Sequence, residues 1–272
     1  MNQDAPTADK PMPRWPVVVG ALGAAILVVA GLAGWLSAGK AREPSGERAG
    51  LAEVNALNEM ARRASVSGEN DKALAFSDES ARKLRDLASK ASGDERLLME
   101  YASELAAKQN EITRAFVSDS DAYVAAGGGD LGGLTDAGAL EKRVGLLERT
   151  IASHGAFVAY FAGVEDRIGS DLRARGASAG AIREFVEGFR GQAKIDNLVR
   201  IHELQRAILE EERERFAILQ RFPGQWKQAA NGVELGAAVP TEQRARFAAM
   251  ESEIVGLREK MKALVQERNA PK

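Results

Sequence analysis

Apolar residues recur along most of this chain at spacings of three and four, the mark of amphipathic helices, and rarely at the spacing of two that a strand requires. The most sustained run lies between Ala139 and Arg175. There Leu140, Val144, Leu147, Ile151, His154, Val158, Phe161, Glu165, Ile168 and Leu172 step alternately by four and three, with Phe157, Tyr160 and Val164 widening the face. A 3.5-residue repeat is the seam of a coiled coil or a bundle helix. It predicts one helix over Leu134–Arg175, about 60 Å long if unbroken. A second repeat closes the chain through Phe247, Met250, Ile254, Leu257, Met261 and Leu264, with Thr241 as its N-cap. A third runs through Leu98, Ala102, Leu105, Gln109, Ile112 and Phe116, and weaker ones cover 54–64 and 74–91. The segment from Lys194 to Phe222 carries Leu198, Ile201, Leu204, Ile208, Phe216 and Leu219. It loses one apolar turn at Glu210–Arg215, which reads as a solvated turn braced by Glu211 and Arg215.

Turn chemistry separates these segments at Ser67-Gly68, Ser92-Gly93-Asp94, the Gly-rich stretch 127–133, Gly176–Gly180 and Phe222-Pro223-Gly224. Between Asn231 and Pro240 no helix is read; Val233 and Leu235 alternate, which suits a short extended piece. Gly145, Gly155, Gly163 and Gly169 interrupt the best helical repeat, and each costs about 1 kcal/mol relative to Ala in a helix interior. Close approach of another helix, local bends or simple composition would each account for them.

Ahead of the helical region, Val17 to Leu36 holds twenty residues without a charge. At 1.5 Å per residue this spans about 30 Å, a hydrocarbon core. Trp15 and Trp35 stand at its two ends, where amphipathic rings favour the headgroup level. The run exceeds the h-region of a cleaved signal peptide, although Ser37, Ala38 and Gly39 would suit a cleavage site. Lys10 and Arg14 before it nearly balance Lys40 and Arg42 after it, so the positive-inside rule is close to silent. A short leading tail with one early span favours a cytoplasmic amino terminus and an exported carboxy-terminal domain. Gly20/Ala24 and Ala30/Gly34 are small-xxx-small pairs that composition alone explains. Gly34–Ala41 nearly spells a P-loop, but Ala41 stands where a hydroxyl is needed and no strand precedes it.

The fold expected is therefore all-α: a single transmembrane helix followed by an elongated antiparallel bundle of five to seven helices with coiled-coil-like seams. The partition is a tail (1–14), an anchor (15–37), a linker (38–46), a helical segment of about three helices (47–126), a Gly-rich loop (127–133) and a bundle segment (134–272). Leu57, Met60, Ala61, Ala64, Gly68, Ala73 and Leu74 fall near the positions of half a tetratricopeptide unit. No second copy follows, so no repeat family is read from them.

Composition narrows the function. The chain has no Cys, which removes disulfides, Cys-based zinc sites and a lipid-modified Cys. Its 37 basic against 39 acidic residues carry no excess for nucleic acid. Only two His limit any triad, and neither sits in a metal-binding helix motif: position 206 is Arg, and Ile151 and Val199 occupy the places three before each His. No catalytic residue, metal ligand or cofactor site is assigned, and no enzyme is expected. His154 and Glu165, polar at seam positions, are candidates for a ligand or pH-sensitive site, or for setting helix register. Trp226, just past Pro223-Gly224, reads as a plug over the bundle end or as an anchor for a partner protein. The expectation is a scaffold or adaptor of the cell envelope, in the inner or plasma membrane and periplasmic if bacterial. It is held in the lipid bilayer through 17–36 and acts on protein partners, a second copy among them. The alternative is a sensor-like, ligand-binding bundle that signals through a partner.

Overall fold

The computed structural model describes residues 45–269 except 194, 230 and 231. The apolar segment 17–36, with Trp15 and Trp35, lies outside them. Among the described residues no helix is long and apolar enough to cross a membrane. The chain is all-α with one small hairpin. Eight α-helices are described, one more than the upper end of the sequence expectation: α1 (Ser45–Val66), α2 (Asn70–Ala88), α3 (Gly93–Ala125), α4 (Ala137–Phe161), α5 (Val164–Ala174), α6 (Ala179–Ala193), α7 (Ile195–Arg221) and α8 (Thr241–Asn269).

The additional helix comes from the predicted Leu134–Arg175 rod, which breaks at Ala162 and Gly163. Ala162 turns to an extended backbone and Gly163 adopts φ +64°, a left-handed conformation that side chains resist. Gly163 is therefore one of the local bends. Gly145 and Gly155 do not mark close helix approach, since a Cβ at either would meet nothing within 4 Å, and one at Gly169 would make only an ordinary contact with Ile182 at 4.0 Å.

Neighbouring helices pack antiparallel, as their cross-links show. Ser77 donates to Asn110 and Ser103 to the Ala81 carbonyl between α2 and α3. Thr150 reaches Asp119, and Tyr160 reaches Leu105, between α3 and α4. Arg246 of α8 grips Glu211 and Glu214 of α7. These Glu side chains belong to the turn expected to be solvated; α8 covers it instead, and Glu211 pairs with Arg246 rather than with Arg215.

The Gly-rich stretch links α3 to α4 as turns and a short 3-10 helix, Leu131–Gly133, whose Leu131 is buried. Between α7 and α8 the extended piece is a hairpin: β1 (Trp226–Ala229) pairs antiparallel with β2 (Gly232–Leu235), with Trp226 opposite Leu235 and Gln228 opposite Val233. Gln228 donates to the Gly132 carbonyl at 2.7 Å and so ties the hairpin to the Gly-rich loop.

Candidate functional site

Helices α3, α4 and α7 each bury one complete heptad seam. On α3 it is Ala102, Ala106, Gln109, Thr113, Phe116, Ser120 and Tyr123; on α4, Leu140, Arg143, Leu147, Thr150, His154, Phe157 and Phe161; on α7, Leu198, His202, Gln205, Leu209, Glu212, Phe216 and Leu219. Three or more members of each seam are polar. Polar groups cost free energy to bury unless they find partners, so these residues define the site. They form two clusters.

In the first, His154 of α4 meets His202 of α7, both fully buried, with their Nδ1 atoms 3.3 Å apart. One Nδ1 carries the proton and the other accepts it. The edge of Phe116 lies against His154 at a ring-centre distance of 4.2 Å, and Phe157 stacks on His202 at 4.0 Å. Phe116 and Phe157 belong to separate apolar clusters, and Ile151, one turn before His154, to a third. The His pair thus occupies the junction where three apolar regions end. His154 Nε2 is buried without a hydrogen bond. Burial, then the neighbouring His202 and Arg206, holds the His154 imidazolium well below the usual histidine range. On the same face of α3, the Gln109 amide and the Thr113 and Ser120 hydroxyls are buried without partners.

The second cluster is ionic. Glu212 is 3% exposed; it accepts from the Tyr123 hydroxyl at 2.8 Å and from Arg258 of α8 at 3.2 Å. Burial raises its carboxyl above the ordinary value, against the pull of Arg258 and Tyr123. Burial and the Glu212 charge push the Tyr123 phenol well up. Arg143 is buried beside them and donates to the Asp130 carbonyl. The Gly-rich loop closes over both charges: a Cβ at Gly129 would overlap the Glu212 carboxylate, and one at Gly127 the Arg143 guanidinium. Close approach thus explains these Gly residues, not those of α4.

The sequence candidates fare differently. His154 is in the core, as its seam position implies, and it meets His202, the neighbour of Ile201 in the apolar run of α7. Glu165 is not in the core. Phe161, Ile168 and Leu172 of the seam stay buried, but after the break at Gly163 Val164 takes the inner place, and Glu165 lies on the partly exposed side of α5, bonded by Arg190 at 2.9 Å. It has no part in the His154 site. Trp226 is half-buried against the cluster of Leu219 and Phe216, its indole N–H donating to the Leu219 carbonyl at 3.2 Å. Among the described residues no group of three or more His, Cys, Asp or Glu could hold a metal ion; the two His meet, but no carboxylate joins them.

Gln109 stands in a seam read from sequence, whereas Thr113, Thr150, Gln205 and Glu212 were not singled out. Their signal is the 4-3-4-3 spacing itself. On α7 the apolar residues Ile201, Leu204 and Ile208 spell a second stripe beside the true inner seam and draw the reading one position off. The chain matches no protein-family model, no curated protein and no solved structure.

Proposed function

We propose that the protein is a membrane-anchored helical scaffold or adaptor of the cell envelope, acting through protein–protein contact from helix surfaces. One observation carries the reading: the concentrated polar chemistry, His154, His202 and Glu212, is sealed in the interior. That leaves charged outer helix faces as the surface a partner meets. The twenty-residue apolar run 17–36 supports the anchor, with the helical region exported and periplasmic if bacterial. The reading assigns no catalytic residue and no cofactor. It is tested by fusing alkaline phosphatase or green fluorescent protein to the carboxy terminus. Phosphatase activity without fluorescence supports export; fluorescence without phosphatase activity overturns it.

A second reading, a sensor-like bundle signalling through a partner, is favoured by the buried, partnerless groups of Gln109, Thr113 and Ser120 beside the His pair. It requires that His154→Leu change the cellular response while the bundle stays folded. A scaffold tolerates that substitution without functional loss.

A further inference from the structure

The outer face of α4, turned away from α3 and α7, has no covering element among the described residues. It centres on Gly145, and Gly138, Ala152, Ala156 and Ala159 lie exposed along it. Around Gly145 the surface forms a shallow groove of about 460 Å³, lined by Gly138, Glu141, Lys142, Gly145, Leu146 and Arg149. Advancing by about 100° per residue around a helix, Glu141 and Glu148 fall on one flank of Gly145, and Lys142 and Arg149 on the other. The face is thus a bare seam with an acidic edge and a basic edge.

These charges are not used within the chain. Their i+4 positions are Gly145, Leu146, Ala152 and Ser153, none of opposite charge. Among the described residues Glu141, Lys142 and Arg149 form no ion pair, and Glu148 has only a distant contact with Arg213 at 4.0 Å.

We infer that this face is the contact of a parallel homodimer. A twofold axis running along α4 sets the acidic edge of one copy against the basic edge of the other. Glu141 then stands level with Lys142 of the second copy, and Glu148 with Arg149, each within about 1.5 Å along the axis. The antiparallel alternative sets Glu against Glu and Lys against Arg, and is repelled. Gly and Ala along the seam let the two backbones approach, and seam residues meet their own copies across the axis. The parallel axis also brings both amino-terminal segments to the same end, as two anchors in one bilayer require. In that respect alone the inference rests on the scaffold reading.

The chain has no native Cys, so one introduced Cys reports its own contact. The full chain in its membrane is oxidised with copper phenanthroline after Ala152→Cys, with Ser252→Cys, exposed on α8, as the comparison. The expected result is a covalent dimer from Ala152→Cys and none from Ser252→Cys. Adding Glu141→Lys and Glu148→Lys to Ala152→Cys abolishes it; adding Lys142→Glu and Arg149→Glu to that variant restores it, which excludes misfolding as the cause of the loss. The inference is overturned if Ala152→Cys stays monomeric or links to a different protein. It is equally overturned if Ala152→Cys links instead to Gly138→Cys on a co-expressed copy, the antiparallel signature. A monomeric Ala152→Cys together with an exported phosphatase fusion removes the homodimer and leaves the scaffold reading standing.

Discussion

The two buried polar clusters share helices and seams yet solve burial in opposite ways. Around Glu212 the carboxyl is surrounded by donors, Tyr123 and Arg258, with a loop of Gly residues folded down over it. Around His154 the charge is disfavoured: burial and its neighbours hold its imidazolium low, the pair is packed between Phe116 and Phe157, and His154 Nε2 has no hydrogen bond. An ionic cluster binds its members into one unit, because removing any one strands the others. A neutral imidazole costs less to bury but leaves His154 exposed to acid, because protonation returns the charge that burial disfavours.

The comparison breaks first at Glu212. Glu212→Ala leaves the Tyr123 hydroxyl and neighbouring guanidinium groups uncompensated and is expected to cost about 3–5 kcal/mol in urea denaturation. A cost below about 1 kcal/mol would mean the ionic cluster is no unit. Gly129→Ala drives a methyl group into the same carboxylate and is expected to cost about 1–3 kcal/mol; an unchanged midpoint would show that the loop yields. In the neutral cluster, His154→Leu strands the facing nitrogen of His202 and is expected to cost about 1–2 kcal/mol. The double variant with His202→Leu should cost less than the sum of the two single changes, and strict additivity would sink the pair.

The clusters also carry opposite pH signatures. Below the unfolded His value of 6.5 the unfolded chain takes up a proton that folded His154 refuses, so stability falls as pH falls below 6.5. Above the unfolded Glu value of 4.5 the unfolded chain releases a proton that Glu212 retains, so that contribution is present below 4.5 and is lost as pH rises through the raised value. Denaturation at a series of pH values should therefore lose the acid-side decline in the double His variant and the opposite slope in Glu212→Gln. Identical profiles in all three proteins would contradict both assignments. Smallest is Glu165→Ala, whose partner Arg190 is solvent-exposed; its denaturation midpoint should match that of the unsubstituted chain, and a clear drop would return Glu165 to the core.

Much of this architecture is legible in the residues alone. The 3.5 spacing announces helices, Gly68, Gly93, Gly176 and Gly224 mark where they stop, and Val233 with Leu235 suits one short extended piece, though not the strand Trp226–Ala229 that pairs with it. His154 is visible as a polar residue inside a seam. The reading fails where one helix has two plausible stripes. On α4, Val144, Ile151 and Val158 compete with Arg143, Thr150 and Phe157; on α7, Ile201, Leu204 and Ile208 compete with His202, Gln205 and Glu212. Hydrophobicity prefers the first set in each case; the fold buries the second set completely and also keeps Ile151, Ile201 and Ile208 inside, so the two stripes share the interior.

The sequence by itself therefore determined the helices, their breaks and the twenty-residue apolar run, because spacing, turn residues and hydropathy act locally. Only the tertiary structure decided which stripe faces inward, that the two His of different helices share one contact, and that Glu165 stays outside. Those outcomes depend on how three helices share one interior, and a polar side chain is tolerated there only when residues distant in sequence, such as Tyr123 and Arg258 at Glu212, close around it.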